Sequence, residues 1–255
     1  MSKISNWTKE ETIVAFNVYC KIPFKSSSKK NPIVVKYANI IGRTPSALNM
    51  KIGNFGRLDP ALKEKGIVGL GNGSKLDEIV WNEFNGNWEK LAYESELLIA
   101  KFQNKKVEEV IYDEVFEFPI GIEKEMVIKQ RVNQSFFRST ILSSYNSKCC
   151  ITGLSIAELL VASHIKPWRT DANNRLNPHN GLCLNSIHDK AFDKGFITIT
   201  PDYKIKVSKC FDEFKKDATV YDFFLKYENH SIFLPDRFLP SKEFLDWHYT
   251  NVFKK

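Results

Sequence analysis

The chain has 255 residues, a formal net charge of +7, and 43% hydrophobic and 13% aromatic residues. That length allows one large domain or two small ones, and the apolar content excludes a disordered protein. No stretch approaches the roughly eighteen consecutive apolar residues of a membrane helix, and the N-terminus lacks the apolar core of a secretory signal. Five cysteines in such a chain do not suggest a disulfide scaffold. We therefore expect a soluble cytoplasmic protein without a membrane partner.

The charge is distributed unevenly along the chain. Residues 1–106 carry a net charge of +7, residues 107–127 of −6 and residues 128–255 of +6. We therefore predict a first domain at 1–106, an acidic linker or edge strand at 107–128, and a second domain at 129–255. Basic blocks favour a polyanionic partner through counterion release, although surface charge for solubility explains the composition equally well. The acidic stretch could also mask a nucleic acid-binding groove, but a solvated linker is the simpler interpretation.

The first domain is predicted to be helical. Thr8 and Glu11 form a capping-box pattern at the start of a helix. Thr44 is an N-cap residue, with Pro45 at the first helical position. The predicted helices cover residues 9–20, 32–41, a segment beginning at 45, 76–84 and 88–102. The glycine-rich segment around residue 71 is interpreted as a turn, because it lacks the ending of a phosphate-binding loop.

The second and third of these helices, joined by a tight turn at residue 42, look like a helix-turn-helix. The turn and the start of the third helix hold Arg43, Ser46, Asn49 and Lys51. Asn and Arg side chains can read adenine and guanine edges, so these four residues are DNA-binding candidates. A plain helical hairpin with solvated polar side chains is the alternative.

The second domain is predicted to open with an amphipathic helix over residues 131–145. A strand then ends at His164, a loop contains Asn180, a second strand follows around residue 183, and a short helix begins near His188. Gly195 is the predicted stop of that helix. Residues 196–208 alternate as a β-hairpin. We expect the aromatic C-terminal tail to wrap the core and His230 and His248 to be structural.

Four short motifs occur in order over residues 149–195: C-C-I-T-G, A-S-H-I-K-P-W, R-L-N-P-H-N-G-L-C-L and H-D-K-A-F-D-K-G. Together they resemble the HNH endonucleases of the restriction type, which have a ββα-metal fold. The resemblance extends from about residue 130 to the C-terminus, because R-V-N-Q-S-F-F-R resembles the leading helix of that family. It implies an α+β protein, with a helical, helix-turn-helix-like first domain and a ββα-metal nuclease domain followed by a helical and aromatic wrap.

The resemblance also implies catalytic roles for His164, Asn180 and His188. His164 would be the general base, because a neutral imidazole accepts a proton near physiological pH. His188 would bind a metal ion, and Asn180 would either ligate it or hold the loop by hydrogen bonds. Asp189 is a further metal ligand candidate, and Asp193 is either a ligand or a helix-end residue. Such an oxygen-rich site suits Mg²⁺ or Mn²⁺.

Two features of this segment leave the metal chemistry open. Many family members have Asp or His directly before the base, where this chain has Ser163, so the second protein ligand is undecided. Cys149, Cys150 and Cys183 invite a zinc interpretation, but adjacent cysteines point in different directions and a second spaced pair is missing. A structural zinc is therefore not expected. A serine or cysteine hydrolase is disfavoured because its nucleophile turn is absent from the sequence.

The loop between the two motif halves contains three cations that could clamp a DNA backbone: Lys166, Arg169 and Arg175. Equally, Trp168 could be a core residue and Arg175 an ordinary surface charge. We keep both interpretations.

These features predict a metal-dependent endonuclease that cuts double-stranded DNA. The resemblance implies restriction or anti-phage defence in a prokaryotic cytoplasm, with the first domain recognising a site or a base modification. One site per chain cuts one strand, so double-strand cleavage suggests a homodimer. The alternatives are a non-catalytic DNA-binding regulator and an RNA-cleaving or homing-type nuclease.

Overall fold

The computed structural model describes residues 6–67, 73–111 and 124–255. The chain divides into two compact units, Met1–Ser143 and Ser144–Lys255. It is a helix-rich α+β protein with two small antiparallel sheets. None of the helices in the described ranges is long and apolar enough to cross a membrane.

The described part of the first unit is helical. Its helices are α1 (Lys9–Lys21), α2 (Pro32–Ile40), α3 (Pro45–Leu58), α4 (Pro60–Glu64), α5 (Lys75–Phe84), α6 (Trp88–Phe102), α7 (Val107–Ile111) and α8 (Lys124–Ser144). The capping box is present, because the Thr8 side chain accepts from the Glu11 N–H and the Glu11 carboxylate accepts from the Thr8 N–H. Residues 11–20 of α1 are all buried, because α2, α3, α5 and α6 contact this helix.

The acidic stretch at 107–128 does not coincide with the division between the units. Its described ends are helical, in α7 and at the start of α8, so neither end is an edge strand. The remainder, residues 112–123, lies outside the described residues, as does the turn predicted around residue 71. The proposed linker and masking roles therefore stay predictions.

The second unit contains the predicted order of strand, loop, strand and short helix. Its elements are β1 (Leu160–His164), β2 (Gly181–Asn185), α9 (Ser186–Asp193), β3 (Ile197–Ile199), β4 (Ile205–Val207), α10 (Ala218–Phe223) and α11 (Lys242–Asn251). β1 and β2 pair antiparallel, with His164 opposite Gly181, and α9 follows β2 without a linker. The predicted hairpin is formed by β3 and β4.

The C-terminal helix α11 packs behind α9. His248 is 2% exposed, and its ring stacks on Phe192 of α9 with 3.7 Å between ring centroids. Gly195, which ends α9 at φ +72°, approaches the chain end so closely that an added Cβ would lie 2.1 Å from the Val252 carbonyl oxygen. The C-terminal tail therefore contacts α9 and Gly195, next to the predicted site. Other tail aromatics do not wrap the core as we expected, because Tyr221 and Phe233 are more than half exposed.

Candidate active site

His164 ends β1 with a defined proton position. Its Nε2 lies 2.8 Å from the Arg175 carbonyl oxygen. Because a carbonyl only accepts hydrogen bonds, Nε2 carries the proton and the basic lone pair is on Nδ1. Burial lowers the pKa of His164, and the bond to Arg175 and the charge of Asp189 only partly oppose this shift. His164 is therefore neutral near physiological pH, as a general base must be.

The loop after β1 braces this imidazole. The Trp168 ring meets the His164 ring edge-on, with centroids 5.6 Å apart. The Arg175 guanidinium lies 5.2 Å from the Trp168 ring centroid, and its Nε donates to the Trp168 carbonyl at 3.0 Å. Because the Arg175 carbonyl accepts from His164, these three residues form a closed set of contacts. Sequence reasoning gave Arg175 a phosphate or surface role and missed this bracing, since neighbours in a folded loop are not visible in spacing.

Asn180 is 1% exposed and joins the two ends of the same loop. Its Oδ1 accepts from the Lys166 N–H at 2.8 Å, while its Nδ2 donates to the Lys166 and Asn174 carbonyls at 3.1 and 3.2 Å. Of the two roles considered for Asn180, this geometry favours holding the loop. The amide oxygen is already an acceptor for the backbone.

His188 is buried inside the second unit. It is 1% exposed, its Nε2 lies 2.6 Å from the Phe223 carbonyl oxygen, and its Nδ1 lies 2.8 Å from the Asn185 amide nitrogen. Nε2 must donate to the carbonyl, so Nδ1 accepts from Asn185. Protein groups therefore contact both ring nitrogens of His188, which favours a role in anchoring α9. Its roles as a catalytic residue and metal ligand stay predictions.

Asp189 is the residue of α9 that faces β1. Burial raises the pKa of its carboxyl group, while Ser163, Lys190 and His164 act in the opposite direction. The Ser163 hydroxyl is buried and has no hydrogen bond of standard geometry, although it is near enough to Asp189 to affect its pKa. One turn later, burial and repulsion from Asp189 raise the pKa of Asp193. Both shifts disfavour the charged carboxylates, and a bound cation would oppose them.

The helical periodicity of α9 explains why His188 is buried. His188 lies three and four positions before the buried Ala191 and Phe192, so it belongs to the apolar face of α9. Asp189 and Asp193 are four positions apart on a different face. The resemblance drew attention to the histidine, whereas the helical period places the aspartate at the site.

The oxygen donors beside His164 fit a hard divalent cation. They are the Asp189 carboxylate and the Ser163 hydroxyl, with Asp193 one turn away. Within the ranges that the structure describes, no three His, Cys, Asp or Glu side chains group in a way that could hold a metal ion. A cation bound here would therefore have few protein ligands and would complete its coordination with water or substrate oxygens. Mg²⁺ is typically bound in this way.

Three buried cysteines belong to the same segment: Cys149, Cys150 and Cys183. Burial would raise the pKa of the Cys149 thiol, but hydrogen bonding with His188 and Thr152 outweighs it and lowers the pKa to about 7. The Cys150 N–H donates to the Cys183 carbonyl at 2.7 Å, and burial keeps the pKa of the Cys150 thiol well above its ordinary value. All three thiols are inaccessible, so none is placed as a nucleophile.

The cations predicted to contact DNA near this site differ in environment. Lys166 pairs with Asp171 at 3.1 Å and lies over the Trp247 ring. Arg175 braces Trp168, as described above. Arg169 is exposed and forms no ion pair with any described residue. Arg169 is therefore the cation of the three that is best placed for a phosphate.

The four DNA-binding candidates of the first unit are mostly engaged in internal contacts. A DNA contact requires an exposed side chain, but Lys51 is 4% exposed and its Nζ lies 2.5 Å from Asp77. Arg43 forms two hydrogen bonds to the Glu11 carboxylate, at 3.0 and 2.8 Å. Asn49 accepts from the Ser27 hydroxyl, and Ser46 is exposed. The two cations therefore stabilise the helical unit.

Comparison with known proteins bears on the second unit. Residues 149–200 match the family model described as HNH endonuclease. The match covers β1 with His164, the loop with Asn180, β2, α9 with Asp189, and β3. It confirms the resemblance of this segment to the HNH endonuclease family, which indicates a nuclease and hence a nucleic acid substrate. No curated protein matches the chain.

Proposed function

We propose that this protein is a metal-dependent endonuclease that hydrolyses phosphodiester bonds of double-stranded DNA. The observation that carries the proposal is a braced, neutral His164 beside Asp189, within the segment that matches the HNH endonucleases. Phosphodiester hydrolysis needs a base for water, charge stabilisation on phosphate and fixed geometry. The residues of this site can supply the first and the last of these themselves.

In the proposed reaction, Nδ1 of His164 accepts a proton from the attacking water. The Nε2–H keeps its hydrogen bond to the Arg175 carbonyl, so the imidazole keeps its orientation while it becomes positively charged. The Asp189 charge, which raises the pKa of His164, stabilises that imidazolium. Asn180 keeps the loop closed behind the base.

We propose Mg²⁺ or Mn²⁺ as the cation, with Asp189 and Ser163 as the residues that would hold it. Asp193, one turn further along α9, would be a second carboxylate ligand, directly or through water. When bound, the cation would stabilise negative charge on the phosphate and the leaving oxygen. His188 is not proposed as a ligand.

We further propose that the enzyme acts in restriction or phage defence, with the first unit recognising a site or a base modification and two copies needed to cut both strands. Arg169 and the net charge of +6 on residues 128–255 support backbone contact by the nuclease domain. Recognition by the first unit does not draw support from Arg43 or Lys51, which are held in ion pairs.

The proposal is tested by incubating methylated and unmethylated plasmid DNA with Mg²⁺ or Mn²⁺ and three proteins. These are the wild type, His164→Ala, and the control His230→Ala, whose histidine is exposed in the same unit. We expect metal-dependent cleavage by the wild type and the control and none by His164→Ala. Undiminished cleavage by His164→Ala would refute the base. DNA binding without cleavage by any of the three would favour a non-catalytic regulator, and cleavage of RNA alone would favour a ribonuclease.

A further inference from the structure

The first unit contains a cleft whose described lining includes no residue of the 149–200 segment. Its volume is about 560 Å³, and it lies among α1, α2, α6, α7 and α8. Small-molecule sites typically have volumes of roughly 300–1,000 Å³. The cleft is therefore large enough for a ligand with a ring system.

The walls of this cleft combine aliphatic and hydrogen-bonding side chains. The aliphatic lining comes from Ile33, Ile40, Ile99, Val110, Ile111 and Val132. Tyr37 adds an aromatic ring, while Gln103, Ser135 and Ser139 add polar groups. Such walls suit a flat, partly apolar ligand whose edge carries donors and acceptors.

The charges are arranged in two layers. At the buried end, Lys21 and Glu96 form a 2.8 Å ion pair with side chains 11% and 15% exposed, which cancels their charge. The exposed part of the lining includes Lys36, Lys105 and Arg131 and the carboxylate of Glu109. Neither Lys36 nor Lys105 forms an ion pair with any residue that the structure describes. The exposed part of the cleft is therefore positively charged.

Cations also flank the Tyr37 ring. The Nζ atoms of Lys21 and Lys36 each lie 5.8 Å from its centroid. An aromatic face next to ammonium groups is the combination that binds a base by stacking and its phosphate by charge. An inorganic anion would leave the aliphatic wall unused, and a purely apolar ligand would give Lys36 and Lys105 no anionic partner.

We propose that this cleft binds a nucleotide, with the base against Tyr37 and the phosphate near Lys36 and Lys105. The nucleotide could be a free mononucleotide or a nucleotide unstacked from a bound strand. The second case would give the first unit a recognition site, and that reading rests on the proposed function. The binding itself requires no catalysis.

The test is isothermal titration of the full chain carrying His164→Ala, which prevents cleavage. The probes are the four deoxynucleoside monophosphates, the corresponding nucleosides, inorganic phosphate and a short single-stranded oligonucleotide. The variant Lys36→Ala/Lys105→Ala removes two lysines of the cleft. The control Lys29→Ala/Lys30→Ala removes the same charge at exposed positions outside the lining. Circular dichroism checks that both variants fold.

We expect at least one monophosphate to bind more tightly than its nucleoside and than phosphate. The cleft variant should weaken that binding about tenfold or more, because it removes charge-assisted contacts, and the control should leave it unchanged. If only oligonucleotide binding responds to the cleft variant, the nucleotide comes from a strand. Equal binding of phosphate and nucleotides, or equal effects of the two double variants, would overturn the proposal. Because His164→Ala is used throughout, these outcomes do not depend on whether the wild type cleaves DNA.

Discussion

His164 is the proposed base, and the residues around it orient its imidazole ring. His164 is held by a carbonyl, a ring and a closed loop, and each contact comes from the segment between β1 and β2. Because these contacts fix the tautomer, small changes in the loop should affect the rate of cleavage more than the binding of DNA.

Asn180 allows the two roles considered for it to be separated. Asn180→Asp keeps an oxygen for the Lys166 N–H but places a carboxylate against the Lys166 and Asn174 carbonyls. We expect it to lose cleavage as fully as Asn180→Ala. Both variants should unfold more easily by about 2–3 kcal/mol, since buried groups lose partners. Cleavage assays with denaturant unfolding check this; an active Asn180→Asp variant would instead favour direct metal ligation.

Arg175 and Arg169 form a matched pair of cations with different environments. Arg175→Ala removes the bracing of Trp168, so we expect the rate at saturating DNA to fall about 10–100-fold. Arg169→Ala should leave that rate nearly unchanged but weaken DNA binding. It should also reduce the slope of log K against the logarithm of the salt concentration by about one. Single-turnover kinetics over a salt series measure both. An effect of Arg175→Ala on binding alone would show that it is a phosphate contact.

At the scale of elements, the position of α9 depends on its stop and on the helix behind it. Gly195 and Gly153 have similar left-handed backbones, at φ +72° and +74°, in the same unit. An added Cβ meets a backbone oxygen at 2.1 Å at Gly195 but only an ordinary contact of 3.6 Å at Gly153. Gly153→Ala should therefore cost about 1 kcal/mol of backbone strain, and Gly195→Ala about 3 kcal/mol or more. Equal unfolding midpoints for the two variants would contradict this close approach.

His248 makes the stability of the second unit depend on pH. Burial lowers its pKa to about 4, from 6.5. Between pH 6.5 and pH 4, the unfolded chain therefore binds a proton at His248 that the folded chain excludes. The contribution of His248 to the free energy of unfolding is complete above pH 6.5 and is lost as the pH falls towards 4. By pH 5 the loss should be about 2 kcal/mol.

Denaturant unfolding at pH 7 and pH 5 measures this dependence. His248→Gln should show a smaller drop in stability between the two pH values than the wild type. His230→Gln should behave as the wild type, because His230 is exposed. Identical pH dependence in all three proteins would exclude His248 as the cause.

For the whole molecule, local patterns predicted the elements well, whereas long-range pairings were not predictable. The apolar run before His164, the cap at Thr44 and the stop at Gly195 predicted the end of β1, the start of α3 and the end of α9 close to their observed positions. The partners of Lys51 and Arg43 lie 26 and 32 positions away, so spacing along the chain could not show that these cations are paired. The resemblance located the site but not which residue of the His188–Asp189 pair faces it.

The central claim is that Asp189 completes the site with His164. Single-turnover cleavage of plasmid DNA in Mg²⁺ or Mn²⁺ by Asp189→Asn tests it most directly, with Asp193→Asn as the neighbouring control on α9. We predict that Asp189→Asn loses about a hundredfold or more in rate and that Asp193→Asn loses about tenfold or less. An Asp189→Asn protein that cleaves at the wild-type rate would contradict this account of the site.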